Sequence, residues 1–167
     1  ATSLAGLPIL IDDTPGISIM ELRTKARRAS THDRLEVIVV DYIQLMRPAE
    51  HEENRVQEIA TITRNLKSLA RELNVVVIGL SQLSRAAGDS GVEPKLSTLR
   101  ESGAIEQDSD IVLMLWRDKE DAPAGAPRLI HGSIAKNRNG PTGIFSLLFA
   151  SEQAKFFSKA SDDSMPV

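Results

Sequence analysis

Cysteine is absent from the 167 residues, which removes disulfide stapling and cysteine-ligated zinc from consideration and suits an intracellular protein. Aromatic residues make up only 4%, so a core has to rest on Ile, Leu, Val and Ala. No apolar run approaches the ~18 to 20 residues that cross a bilayer, and the start has no basic-then-apolar leader pattern. A cytoplasmic location with no membrane partner is therefore the expectation. His32, His51 and His131 are scattered without an i, i+4 pair, so they read as surface or incidental residues rather than metal ligands. No nucleophile elbow or Cys/His pair is present either. The net charge of −3 argues against a uniformly positive surface. It leaves nucleic acid open to a protein that needs basic groups on one lining surface only.

What remains is ordinary globular composition, 41% apolar and 26% charged, at a length that makes one domain at most. Short β-branched runs alternate with helical patterns. Strand candidates are Leu7–Ile11, Glu36–Val40, Val75–Leu80, Ile111–Leu115, Leu129–Ala135 and Ile144–Phe149. The second, third and fourth are almost uninterruptedly apolar, as in parallel strands covered on both faces. Ser18-Ile19-Met20-Glu21 forms a capping box that predicts a helix start. A longer helix is predicted from about Glu53 to Leu73, with Ile59, Ile62, Leu66, Leu69 and Leu73 spaced for burial. Asn74 suits the left-handed position that ends it. The alternation predicts an α/β fold with a mostly parallel central sheet, and the last two strands form an antiparallel hairpin at one edge. Asp118 to Pro127 reads as a flexible loop, and Ser158 to Val167 as a flexible polar tail.

Four constellations could carry chemistry. Asp41 ends the run Val37-Ile38-Val39-Val40. Ligands of open α/β sheets sit beyond the carboxyl ends of the strands, where such an aspartate can hold Mg²⁺ through its water shell. Equally, it could simply cap a turn. Gln82 follows the next buried strand and would share that edge, where an uncharged amide can bond a γ-phosphate or the attacking water. Its bland alternative is a polar residue opening a surface loop. Arg100, Glu101, Ser102 and Gly103 could grip a phosphate through a cation and free amides, or be a loop with surface charges. Lys136 and Arg138 alternate and so share a strand face, suiting either an anion from outside the domain or protection of an edge strand.

The order and spacing of these segments resemble one family, the DnaB-type replicative helicases, whose motor domain has a RecA-like fold. VIVVDYIQLM, ENRVQEIATITRNLKSLARELNVVVIGLSQLSR, LRESGAIEQDSDIVLMLWRD and IAKNRNGPTG carry the resemblance, which spans most of Leu7 to Phe157. It implies an ATP-dependent enzyme that moves 5′ to 3′ on single-stranded DNA and unwinds duplex at the replication fork, using ATP and Mg²⁺. Asp41 matches the Walker B aspartate that positions the metal, and Gln82 the glutamine that senses the γ-phosphate. Arg100, Glu101 and Gly103 match the loop that contacts the DNA backbone. Lys136 and Arg138 match the pair that reaches into the adjacent subunit's ATP site, which implies a head-to-tail homo-hexamer. Primase and a helicase loader are the further partners that the family implies.

One departure from the family stands at the front. Its members carry an N-terminal domain, a linker helix, a P-loop and a catalytic glutamate ahead of this segment, and no G-x-x-x-x-G-K-S/T occurs in the sequence. Residues 1–157 are then expected to be part of a RecA-like domain, followed by the tail 158–167. Taken alone, the segment is expected to be inactive. A recombination-type or circadian-type RecA-like ATPase is the competing enzyme class, and LRESGAIEQDSD and KNRNGPTG, which resemble the helicase branch, weigh against it. A ring subunit that binds single strands or partners without turnover is the non-catalytic alternative.

Overall fold

The computed structural model describes residues 6–32, 34–48, 54–83, 91–98, 103–118, 123 and 125–158. Helix α1 (Ile19–His32) opens with the reciprocal capping box: Ser18 N–H donates to Glu21 Oε2 at 2.8 Å, and Glu21 N–H to Ser18 Oγ at 3.2 Å. Strand β1 (Val37–Val40) leads through a 3₁₀ turn (Ile43–Leu45) to α2 (Arg55–Leu73). Asn54 caps α2 by accepting the Gln57 N–H, and Asn74 ends it in the left-handed conformation, φ 53° and ψ 48°. The chain then enters β2 (Val76–Gly79), which pairs in parallel with β1 in the register Val40↔Gly79.

The short helix α3 (Gly103–Asp108) precedes β3 (Ile111–Arg117), β4 (Arg128–Asn137) and β5 (Gly143–Ala150). A tight turn through Ala154, at φ 48°, adds β6 (Lys155–Ser158). These strands form an antiparallel sheet in the order β3-β4-β5-β6, so the antiparallel part extends beyond the expected terminal hairpin. Strand β6 escaped the sequence reading because its four residues carry too little pattern. Ser158, assigned to the tail by sequence, closes β6; residues 159–167 lie outside the described residues, as do 119–122 and 124 of the expected loop.

Both sheets and the three helices among the described residues feed one core. Ile19 and Ala26 of α1, Ile38 and Val40 of β1, Ile59, Ile62, Leu66 and Leu69 of α2, Ile105 of α3, and Val112 and Met114 of β3 are buried together. Contrary to the expectation from sequence, β1 and β3 are covered on one face only. Val37 and Val39, and likewise Ile111, Leu113 and Leu115, point outward and are exposed. Apolar runs in these strands come from a face that no described helix covers. The expected strand Leu7–Ile11 is absent too: Ile11 is 89% exposed, and the run has no partner strand among the described residues. An extended apolar run without a neighbour has nothing to accept its backbone hydrogen bonds.

In the β4–β5 pair, Gly132 stands opposite Phe145, whose ring occupies the space of a side chain. A Cβ on Gly132 would lie 2.3–2.9 Å from three ring carbons. Gly132→Ala is expected to destabilise the fold by about 1–3 kcal/mol through overpacking, read as a lowered midpoint in chemical denaturation. An unchanged midpoint would show that the ring swings aside freely.

Candidate functional site

The carboxyl ends of β1 and β2 form one edge. The parallel ladder continues past both strands, with Leu80 N–H donating to Val40 O at 2.9 Å and Ile43 N–H to Leu80 O at 2.9 Å. Asp41 and Gln82 therefore emerge at the same end of the sheet, and both are exposed. The Asp41–Tyr42 peptide is cis.

Gln44, which the sequence reading did not single out, clips this edge together. Its Nε2 donates to Ser81 Oγ at 2.8 Å, while its Oε1 accepts the Gln82 N–H at 3.4 Å. Arg55 in turn donates to the Gln44 carbonyl and to Glu58. The 3₁₀ turn after Asp41 is thereby tied to the loop carrying Gln82. No local motif announces Gln44, because its partners lie 37 and 38 positions away. Gly79 lets Ile43 cross β2 closely, since a Cβ there would meet Ile43 Cδ1 at 2.6 Å.

Lys136 in β4 and Arg138, the residue after the strand's last, meet at the end of α3 rather than on one strand face. Lys136 Nζ donates to Glu106 O, with Gln107 O at 3.5 Å. Arg138 donates through a terminal guanidinium nitrogen to Gln107 O at 2.7 Å. Both cations thus occupy the last turn of α3, where carbonyls have no intrahelical partner and the helix dipole is negative. Arg138 also places Nε 3.7 Å from Asp110 Oδ1, and its backbone N–H donates to Asp110 O at 2.9 Å. A hydrogen bond from Lys67 holds the Asp110 carboxyl below its ordinary range against the opposing effect of burial, with lesser help from the Lys67, Arg138 and Arg71 charges.

Arg100 and Glu101 lie outside the described residues. Gly103, the third member of that candidate loop, begins α3. A Cβ on it would meet nothing within 4 Å, so nothing in the described chain demands glycine there. Helix α3 is fastened to α2 on its other side by the Thr63 hydroxyl, which donates to Asp108 Oδ2 at 2.6 Å.

His131 departs from its reading as an incidental residue. It stacks on Trp116 with ring centroids 5.4 Å apart and lies 3.1 Å from Asp118 Oδ2 through Nε2. Strand pairing places Trp116 opposite His131, a relation that sequence spacing does not reveal. Among the described residues, no group of three His, Cys, Asp or Glu side chains converges as a metal cage.

Parallel strands followed by an exposed carboxylate and amide, with helices packed over them, define an open α/β domain, and the likeness to solved helicase domains makes it RecA-like. A solved ATPase domain superposes with a TM-score of 0.76 and 40% sequence identity, covering 86% of this chain and 52% of that one. A DnaB-like replicative helicase, described with its interactions with primase, gives 0.79 and 40%, covering 89% of this chain and 37% of the other. The chain belongs to the DnaB-like helicase C terminal domain family, which matches residues 1–158. It is 48% identical over 157 residues to the replicative DNA helicase DnaC of Bacillus subtilis (strain 168), covering 92% of this chain and 35% of that protein. To the replicative DNA helicase DnaB of Geobacillus stearothermophilus it is 46% identical, with the same 92% and 35%. The chain thus spans about a third of the length of these relatives.

Proposed function

We propose that this chain forms part of the motor of an ATP-driven replicative DNA helicase, a ring that moves 5′ to 3′ along single-stranded DNA. The observation that carries the reading is the shared strand edge of Asp41 and Gln82 in a chain 48% identical to a replicative helicase. A lone exposed carboxylate at a strand end suits Mg²⁺ held largely by water and phosphate oxygens rather than by an all-protein cage. Bound with ATP, the ion would neutralise phosphate charge. Asp41 would orient its water shell, and Gln82 would bond the γ-phosphate or the attacking water, passing the change to the loop that follows it.

Lys136 in β4 and Arg138 just after it belong to the antiparallel sheet, which does not pair with the β1–β2 ladder that Asp41 follows. That placement supports action on a neighbour's nucleotide, and so a head-to-tail homo-hexamer. Arg100, Glu101 and Gly103 are the proposed contacts to DNA phosphates; the open space around Gly103 leaves room for a backbone to approach. Primase and a loader are proposed partners, the first in keeping with the primase interactions described for the similar helicase.

The test joins this segment to the P-loop-bearing half of such an enzyme and measures ATP hydrolysis with and without single-stranded DNA. Stimulation by DNA of any sequence is expected. Arg100→Ala should weaken DNA binding to a similar degree across sequences and reduce the slope of log K against log salt by about 0.7. Hydrolysis indifferent to DNA would sink the helicase reading and favour a binding subunit.

A further inference from the structure

For Asp41 and Gln82 to act on one nucleotide, the two segments that carry them must keep a fixed relation. Asp41 follows β1 and Gln82 follows β2. The ladder between these strands runs on to Leu80, whose N–H donates to Val40 O and whose carbonyl accepts the Ile43 N–H. Among the described residues it has no further backbone rung. The Gln44 side chain supplies one. Its Oε1 accepts the Gln82 N–H at 3.4 Å, and its Nε2 donates to Ser81 Oγ at 2.8 Å. Only the oxygen end of an amide can meet an N–H, so the orientation of this one is set by its partners. A single planar group thus grips two successive residues, and any slide of Gln82 along the edge works against both bonds.

Gln44 has a firm seat of its own. Arg55, in the first turn of α2, donates to the Gln44 carbonyl and also to Glu58 Oε2, the latter at 2.7 Å. Ile43, one residue earlier, is buried and crosses Gly79, where no side chain stands in its way. The turn Ile43–Leu45 is therefore held by α2 on one side and β2 on the other. Gln44 is half-buried, with its amide oxygen and one N–H spent on the chain. Gln82 divides the other way: its backbone N–H is bonded, whereas its side chain is exposed and makes no bond among the described residues. A held backbone with a free amide suits a group that must meet a ligand, because part of the ordering is complete before the ligand arrives.

On the reading of Gln82 as the amide that meets the γ-phosphate or the attacking water, we propose that Gln44 is its positioning residue, holding Gln82 in register with Asp41. Gln44 touches neither nucleotide nor metal in this scheme; it acts through the backbone of Gln82 and the hydroxyl of Ser81.

The experiment uses the full-length protein that carries this segment, measuring steady-state ATP hydrolysis on single-stranded DNA. Gln44→Met keeps the length of the side chain and removes the amide. It is expected to lower kcat by about 10-fold, short of the roughly 10²-fold that a full misplacement costs, with KM for ATP within about twofold. Ser81→Ala, which removes one of the two bonds, should lower kcat by about threefold, and Ser81→Thr, which keeps the hydroxyl, should lose less. Gln82→Ala alone should cost at least as much as Gln44→Met. Adding Gln44→Met to it should bring no further loss beyond about twofold, because a residue that acts through Gln82 then has nothing to position. Losses that multiply in the double variant would overturn the proposal. So would wild-type kcat in Gln44→Met beside a damaged Gln82→Ala, or a rise in KM as large as the fall in kcat; these results leave the reading of Gln82 standing. Full turnover in Gln82→Ala would overturn that reading and the positioning role together. If the melting temperature shows that Gln44→Met does not fold, Ser81→Ala takes its place in the same double-variant comparison, where wild-type kcat or multiplying losses overturn the proposal.

Discussion

Replacing Arg138 by alanine in the assembled ring is expected to lower kcat for ATP by about 10³-fold or more, the worth of an arginine finger at a transferring phosphoryl group. The charge that builds on the equatorial oxygens is met by a preorganised cation, and removing it leaves that charge to water. Arg138 suits the role by position as well as by chemistry. Its backbone is pinned to Asp110 O, its side chain leans on the end of α3, and half of that side chain faces outward. A subunit's own loss should also be reparable by its neighbour. Rings mixed from Arg138→Ala and Asp41→Ala subunits should regain part of the activity, because some interfaces then combine an intact Asp41 with an intact Arg138. Mixed rings shown to assemble, yet silent at every ratio, would refute shared sites.

The second large effect concerns stability. Ile59 and Ile62 are fully enclosed, one helical turn into the centre of α2, where both sheets and the other helices meet. Ile62→Ala removes three carbons from the buried cluster that α2 shares with α1, β1, α3 and β3, so little relaxation is available to fill the void. The expected loss is about 2–5 kcal/mol. Urea unfolding of the domain reads it directly as a shifted midpoint at constant slope. Val39→Ala provides the contrast: at 61% exposure its effect should stay within about 0.5 kcal/mol. Equal losses at the two positions would mean that Val39 faces a partner surface, and the one-sided burial of β1 would need revision.

The parts legible in the sequence were those governed by neighbours along the chain. Ser18 and Glu21 are three residues apart, and their reciprocal bonds form as that spacing requires. The stripe Ile59, Ile62, Leu66 and Leu69 is buried, and Asn74 turns left-handed where the helix has to end. The β4–β5 hairpin follows from alternation around Asn139-Gly140-Pro141. Asp41 and Gln82 were placed on one edge because each follows a strand and parallel strands share a direction.

Other features depended on what lies across space. Leu7–Ile11 has the composition of a strand but no partner to pair with among the described residues, and β3 has the apolar run of a two-faced strand but only one face that they cover. Periodicity reports which residues can be buried; it does not report what is present to bury them. Gln44, His131 and Asp110 act through partners between 13 and 43 positions away, beyond the reach of any local pattern.

By itself, then, the sequence determined the two longer helices, the class of fold and the residue types at the strand ends, because spacing of a few residues decides hydrogen bonding and amphipathic burial. Only the tertiary structure decided that α3 ends beneath Lys136 and Arg138 and that Asp110 joins them to α2. Those contacts arise where a helix terminus leaves carbonyls unpaired and a distant strand delivers cations to them, an arrangement that exists only once the chain has folded.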